Sequence, residues 1–137
     1  YSSLVGVKIK ASSSPYLIDE YPILSIAASQ AKGSTIMEGL SELRHKESDR
    51  IKSITSNLSK LGFKVNSKND NISIQGNKNI KIIKPIKIKT YSDHRIAMSF
   101  VILGLLYDNK LIIDDEECIS ISYPNFKEHL KKLSSSH

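Results

Sequence analysis

The sequence predicts an α/β (α+β) fold for a single domain spanning residues 1–137. Segments whose apolar residues have helical spacing alternate with short apolar runs that are typical of strands. The composition, 39% hydrophobic and 25% charged, suits a globular protein. The predicted order is strand, helix, strand, helix, two strands, helix, strand, helix, so β-α units repeat. The sequence contains no Gly-rich phosphate-binding loop.

Bulk properties exclude several classes of protein. No segment approaches the ~18 consecutive apolar residues of a membrane span, and no signal peptide opens the chain. The single cysteine, Cys118, excludes an internal disulfide and any zinc cluster built on cysteines. We therefore predict a cytoplasmic protein without a membrane partner.

The net charge of +6 and the pI near 9.4 raise the alternative of a nucleic-acid-binding module. Most lysines, however, are scattered singly through Ile- and Asn-rich sequence. Aromatic residues are sparse and do not alternate with basic residues as a base-stacking surface requires. We therefore predict no nucleic-acid partner.

The first predicted strand has apolar residues at positions 4, 5, 7 and 9, followed by a loop over 11–15. The chain starts on Tyr1 rather than Met, so we expect a piece of a longer protein. The next helix has Pro22 at its start and Gly33 at its end, and it is apolar on nearly all sides, which predicts burial. Asp19 and Glu20 precede it and could either cap it or supply a carboxylate to a cleft.

A strand over 34–37 precedes a charged block, 43–51, which we interpret as the beginning of an amphipathic helix. The helix has apolar residues at three- and four-residue spacings and ends at Gly62. Lys46 and Arg50 lie one turn apart and oppose the helix dipole. These cations are either solvated surface charges or part of an anion site.

Residues 63–66 and 71–75 alternate around a turn at 68–70, which predicts a β-hairpin. Residues 76–89 read as a loop and an edge strand around Pro85. After a further apolar helix and a strand over 110–113, an acidic turn at 114–117 leads to a last short helix that begins at Tyr123-Pro124. Its apolar face comprises Phe126, Leu130 and Leu133, and residues 134–137 form a frayed tail.

A second cationic helix start supports the anion-site interpretation. Ser92 or Asp93 can cap the apolar helix over 96–106, and His94 and Arg95 fall in its first turn. Packing alone does not explain positive groups at the mouth of a buried helix. Two helices that both open on cations therefore favour one shared anion site.

The candidate site combines carboxylates with basic side chains: Asp19, Glu20, Glu47, Lys46, Arg50, His94 and Arg95. Arginines bind carboxylates and phosphates through two hydrogen bonds, and lysine acts as a point charge. Carboxylates in such a site can move protons. The set predicts acid–base or group-transfer chemistry on a multiply anionic small molecule. The four histidines lack ligand spacing, so we expect no metal and no cofactor.

Four blocks resemble the EPSP synthase family: Ile18–Leu24, Glu42–Arg50, Asp93–Ser99 and Ser120–Phe126. The resemblance covers essentially the whole chain but only the C-terminal third of a full-length member. It implies an inside-out α/β domain built from β-α-β-α-β-β units, of which this chain would hold one unit and parts of its neighbours. Members are usually monomeric and need no metal.

The resemblance implies transfer of the enolpyruvyl group of phosphoenolpyruvate to the 5-hydroxyl of shikimate 3-phosphate, with release of phosphate, in the pathway to chorismate and the aromatic amino acids. Asp19 would contact the shikimate hydroxyls and act as base on the attacking one. Glu47 would handle the proton that moves on and off the methylene group. Lys46 would contact the 3-phosphate of the acceptor.

The resemblance places Arg50, Arg95 and the adjacent His94 at phosphoenolpyruvate. It also implies an N-terminal Lys-Ser…Arg segment with essential phosphate contacts, which this chain lacks. We therefore expect the chain alone to be inactive and to need that N-terminal portion as its partner. The alternative within the same chemistry is the sister enolpyruvyl transferase that acts on UDP-N-acetylglucosamine.

Three positions depart from the family pattern. Ile121 stands where some members carry a lysine that reaches phosphoenolpyruvate, so that contact is missing or supplied otherwise. His45 replaces the usual valine, and Glu42 stands where some members have an asparagine that touches shikimate 3-phosphate. The asparagine's role is therefore not transferred to Glu42.

Overall fold

The computed structural model describes residues 3–135, which contain six α-helices, two short 3₁₀ turns and six strands. The helices are α1 (Ser14–Leu17), α2 (Tyr21–Ser29), α3 (Arg50–Lys60), α4 (His94–Gly104), α5 (Glu117–Ser122) and α6 (Phe126–Ser135). The strands are β1 (Lys8–Ile9), β2 (Ser34–Met37), β3 (Lys64–Lys68), β4 (Asn71–Gln75), β5 (Ile86–Ile88) and β6 (Leu111–Ile113). None of the helices in this range has the length and apolar character needed to cross a bilayer.

The first four strands form one sheet in the order β1-β2-β4-β3. β1 and β2 are parallel, and both other pairings are antiparallel. The predicted hairpin of β3 and β4 is confirmed, and its turn residues Asn69 and Asp70 both have positive φ (53° and 60°), as a tight two-residue hairpin turn requires. The run β1-α2-β2-α3-β3-β4 is one β-α-β-α-β-β unit, as expected.

A second, two-stranded sheet pairs β5 with β6 in parallel, with α4 between them in sequence. It repeats the β-α-β arrangement of β1-α2-β2, which confirms the repeated units in the predicted α/β fold. The two connecting helices, α2 and α4, pack against each other, and α4 also contacts α3. Three helices are thereby held together at the centre of the molecule.

The core lies between these helices and the four-stranded sheet. Its fully buried members include Leu58, Ile74 and Phe100, each contributing roughly 1.5–3 kcal/mol by burial. No residue of α2 or α4 is exposed, which confirms the prediction that both are buried helices. Gly62 ends α3 with φ 102°, a conformation that favours glycine.

Several predicted boundaries were wrong. The predicted loop over 11–15 is a short 3₁₀ turn followed by α1. Only Lys8–Ile9 forms a strand near the start, with an isolated bridge at Val5, while Tyr1 lies outside the described residues. Helix α2 ends at Ser29, and Gly33 (φ 89°) lies in the turn to β2.

The end of the chain also differs from the prediction. Helix α5 was missed, because its six residues, Glu117–Ser122, are too few to show a helical period. Helix α6 extends to Ser135, so only residues 136–137 of the predicted tail lie beyond it, outside the described range. Of its predicted apolar face, Phe126 is buried, whereas Leu133 is exposed.

Candidate active site

The charged block does not begin the amphipathic helix where the sequence suggested. Residues Ser41–His45 form a 3₁₀ turn anchored by the fully buried Leu43, and Lys46 has extended backbone geometry. Helix α3 starts only at Arg50, because the Asp49 carboxylate caps it by accepting a bond from the backbone N–H of Lys52 at 3.1 Å. Lys46 and Arg50 are therefore not neighbours on one helix face, and that interpretation was wrong.

The start of α4 is as predicted. Asp93 caps the helix by accepting a hydrogen bond from the backbone N–H of Arg95 at 3.1 Å, which places His94 and Arg95 in the first turn. Because α4 packs against α2 and α3, the starts of these helices share one region. Asp19 lies in the turn just before α2, and its carboxylate accepts a hydrogen bond from Arg50 at the start of α3.

Arg50 is the centre of the site, and its side chain is only 1% exposed. Its Nε and Nη2 donate to the two oxygens of Asp93 at 2.8 and 3.2 Å. Nη2 also donates to Glu47 at 2.7 Å, and Nη1 donates to Asp19 at 3.3 Å. Burial opposes the charge on Arg50, but hydrogen bonds and charge attraction from Asp93, then Glu47 and Asp19, raise the pKa of its guanidinium above the ordinary value.

The partner carboxylates differ in how firmly they are held. The Asp93 side chain is 0% exposed, and its Oδ2 also accepts a hydrogen bond from Ser48 at 2.8 Å. Burial alone would raise the pKa of this carboxyl, but hydrogen bonds from Arg50 and Ser48 and the charge of Arg50 hold the pKa below its ordinary value. The side chains of Asp19 and Glu47 are 47% and 53% exposed. Asp93 is thus a structural anion, whereas Asp19 and Glu47 face the solvent.

Asp19 is surrounded by basic groups. Besides Arg50, the Nζ of Lys46 lies 4.0 Å from its Oδ1, and Nη1 of Arg95 donates to its backbone carbonyl at 3.2 Å. Arg95 also lies 3.9 Å from the Glu20 carboxylate. Asp19 does not cap α2, and Glu20, at the N-cap position, makes no side-chain capping bond. Asp19 therefore presents its carboxylate among basic side chains and does not cap the helix.

His94 lies between two clefts. The larger, about 370 Å³, is lined by Asp19, Glu20, His94 and Arg95 together with apolar side chains of α2, α4 and the α5–α6 junction. The smaller, about 330 Å³, is lined by His94 and by Glu47, Ser92, Asp115, Glu117, Cys118, Ile121 and Ser122. Among residues 3–135, no hydrogen bond or ion pair occupies the His94 ring. Its ring nitrogens are available to a ligand in either cleft.

The structure brings together all six residues predicted for catalysis and substrate binding: Asp19, Lys46, Glu47, Arg50, His94 and Arg95. Arg50 differs from the expectation of a free cation, because its buried guanidinium forms ion pairs with three carboxylates. Ile121, which the resemblance aligns with a lysine of some members, is 82% exposed and lines the smaller cleft with Glu47 and His94. In the described range, no group of His, Cys, Asp or Glu side chains could hold a metal ion.

Sequence reasoning gave Asp93 only a capping role and gave Ser48 none. Hydrogen bonds from Ser48 and Arg50 to Asp93 connect the two charged blocks, since Ser48 precedes α3 and Asp93 precedes α4. One signal for Asp93 was present. An arginine that is buried at the start of an amphipathic helix needs a carboxylate partner, and Asp93 opens the other cationic helix.

We expect the Asp93–Arg50 pair to make stability depend on acid pH. Because the carboxyl pKa of Asp93 is lower in the folded than in the unfolded chain, its contribution is complete above the ordinary value of about 3.9. That contribution is lost as the pH falls through the lowered folded value. The difference in unfolding free energy between the native chain and Asp93→Asn, measured by urea denaturation, should therefore be largest near neutrality and shrink below about pH 4.

Asp49→Asn is the matched control for this titration. Asp49 also caps a helix, but its side chain is partly exposed, at 34%, and is not paired with Arg50. A difference between native chain and Asp93→Asn that stays constant from pH 7 to pH 2 would contradict the account.

Comparison with known proteins shows the family of this chain. The family model for EPSP synthase (3-phosphoshikimate 1-carboxyvinyltransferase) matches residues 2–130. The chain is 50% identical over 134 residues to the 3-phosphoshikimate 1-carboxyvinyltransferase of Petrotoga mobilis, covering 98% of this chain and 31% of the relative. It is 45% identical to that of a Sulfurihydrogenibium species, with 98% and 30% covered.

A solved structure shows the same fold. The EPSP synthase of Acinetobacter baumannii matches with a TM-score of 0.82 and 35% identity, over 95% of this chain and 30% of that one. The chain thus spans about a third of the length of the relatives that it matches. Sequence, fold and family model agree over nearly all of its residues, and the chain belongs to the EPSP synthase (3-phosphoshikimate 1-carboxyvinyltransferase) family.

Proposed function

We propose that this chain forms part of an enzyme that transfers the enolpyruvyl group of phosphoenolpyruvate to the 5-hydroxyl of shikimate 3-phosphate. The observation that carries the proposal is the convergence of two solvent-facing carboxylates, Asp19 and Glu47, with Lys46, Arg50 and Arg95. Two anionic substrates need cations to bind them, and proton transfer needs carboxylates beside those cations. Family membership supports the same reaction.

The proposed reaction has an addition step and an elimination step. Asp19 removes the proton from the 5-hydroxyl as its oxygen bonds to C2 of phosphoenolpyruvate, while Glu47 delivers a proton to the methylene carbon. The bond from C2 to the phosphate oxygen then breaks, phosphate leaves, and Glu47 takes a proton back from the methyl carbon. The half-exposed positions of both carboxylates leave room for substrate beside them.

Lys46 is proposed to bind the 3-phosphate of the acceptor. Its Nζ lies 4.0 Å from Oδ1 of Asp19, which is within ion-pair distance but too far for a hydrogen bond. An exposed pair at this distance contributes about 0–1 kcal/mol, so a phosphate group can displace it at little cost. Arg50, Arg95 and His94 are proposed to bind phosphoenolpyruvate.

We further propose that the active protein is a cytoplasmic monomer in which an N-terminal portion supplies the remaining phosphate contacts. The chain spans 31% of the Petrotoga mobilis relative, and its Asp19, Glu47 and His94 face open clefts. In this proposal, these residues form one side of an active site that the N-terminal portion completes.

A hybrid enzyme tests the proposal. In this hybrid, the chain replaces the matching part of the Petrotoga mobilis relative in one polypeptide. We expect it to release phosphate only when phosphoenolpyruvate and shikimate 3-phosphate are both present, whereas the 137-residue chain alone releases none. A folded hybrid without turnover would contradict the reaction, and turnover by the chain alone would contradict the need for a partner portion.

A further inference from the structure

We propose that Asp93 is a positioning residue, which holds one edge of the Arg50 guanidinium so that the opposite edge is presented to the carboxylate of phosphoenolpyruvate. This inference rests on the proposed function. It adds the claim that Asp19 and Glu47 occupy that edge in the absence of substrate and give it up when substrate binds.

The hydrogen bonds of Arg50 divide between two edges of its guanidinium. A guanidinium has five N–H donors in a fixed plane. Asp93 takes the edge formed by Nε and Nη2, at 2.8 and 3.2 Å. Asp19 and Glu47 share the other edge, formed by Nη1 and Nη2, at 3.3 and 2.7 Å. That second edge has the geometry to take one carboxylate through two parallel bonds.

Asp93 cannot readily exchange with water. Its side chain is fully buried, and its two oxygens together accept bonds from Arg50, from the Ser48 hydroxyl and from the backbone N–H of Arg95. If Asp93 moved away from Arg50, it would leave the charge of Arg50 unpaired in a site that water does not reach. The edge of Arg50 that Asp93 holds is therefore fixed.

Asp19 and Glu47 can exchange. Each is about half exposed and makes a single bond to Arg50. Either carboxylate can rotate into water and remain solvated. A substrate carboxylate can then take both N–H groups of the second edge, and the displaced side chains are the two that the proposed reaction requires to act on protons.

The test is Asp93→Asn in the hybrid enzyme. An asparagine of the same size removes the charge and turns one acceptor into a donor, so Arg50 loses its two-bond anchor. We expect KM for phosphoenolpyruvate to rise at least about tenfold, because a charged hydrogen-bond pair is lost. KM for shikimate 3-phosphate should change less than about threefold, because Arg50 is proposed to bind the other substrate.

Two further variants separate positioning from general damage. Ser48→Ala removes one bond to Asp93 and leaves the ion pair intact, so it should raise KM for phosphoenolpyruvate by a smaller factor. Asp49→Asn alters the other capping aspartate, which pairs with Arg44 and not with Arg50, and should leave both KM values unchanged.

NMR of the native hybrid tests the edge assignment without any variant. On addition of phosphoenolpyruvate, we expect the Nε–H signal of Arg50 to stay protected from exchange with solvent while its Nη signals shift. Loss of Nε–H protection would overturn the proposal. Equal rises in both KM values for Asp93→Asn, or no rise, would also overturn it. A native hybrid without turnover would instead overturn the proposed function.

Discussion

Replacement of Arg50 by methionine should lower the unfolding free energy of the 137-residue chain by about 3–5 kcal/mol. The substitution leaves Asp93, which is fully buried, charged and without its ion-pair partner. Removing one member of a buried pair is costly because the remaining charge has lost both water and its counter-charge. Urea denaturation at neutral pH measures the loss.

The double variant Arg50→Met/Asp93→Leu identifies the cause. If the unpaired charge is responsible, removing both charges should restore much of the lost stability, since buried pairs can often be replaced by apolar groups at small cost. If the double variant is as unstable as the single one, packing of the Arg50 side chain explains the loss and the account is wrong.

Arg44→Met is the matched surface control. Arg44 pairs with Asp70 at 2.6 Å and with Asp49 at 3.2 Å, but its side chain is 40% exposed. Water can solvate the carboxylates that it leaves, so the expected loss is much smaller than the loss for Arg50→Met. Equal losses for Arg44→Met and Arg50→Met would show that burial of the ion pair does not matter.

Glu47→Gln should reduce kcat of the hybrid enzyme by about 10²–10⁴-fold, the range expected when a positioned acid–base group is removed. Glutamine keeps the size of the side chain and an oxygen that can accept from Nη2 of Arg50. Substrate binding should therefore change little, and the loss should appear in kcat rather than in KM. Steady-state kinetics with each substrate varied separately makes the distinction.

Glu38→Gln is the control for this loss. Glu38 pairs with Lys8 at 3.6 Å on the surface, next to β2, and takes no part in the site. We expect it to leave kcat unchanged. A loss confined to KM in Glu47→Gln would assign that residue to binding instead of proton transfer.

The secondary-structure prediction succeeded where apolar periodicity was strong. The buried helices α2 and α4 follow from sequences that are apolar on nearly all sides, and the β3–β4 hairpin follows from its alternation and its Asn-Asp turn. Helices α1 and α5 were missed because four and six residues are too short to show a period. Helix α5 packs against α4, and Leu17 of α1 packs against the core.

The site residues were identified because charged side chains at the starts of helices, where cations oppose the helix dipole, require an explanation. Their connectivity was not predictable from the sequence. Arg50 and Asp93 are separated by 43 positions, and no local pattern specifies which of several aspartates pairs with which arginine. The start of α3 was misplaced because Asp49, rather than a residue earlier in the block, provides the cap.

The measurement that tests the central claim most directly is the mass of the product that the hybrid enzyme forms in D₂O. In the proposed reaction, Glu47, which is half exposed and exchanges its proton with solvent, delivers that proton to the methylene carbon. The product should therefore be shikimate 3-phosphate bearing an enolpyruvyl group with deuterium in its methylene. A folded hybrid that forms no such product, that transfers the group to UDP-N-acetylglucosamine instead, or that leaves the methylene free of deuterium would contradict the account.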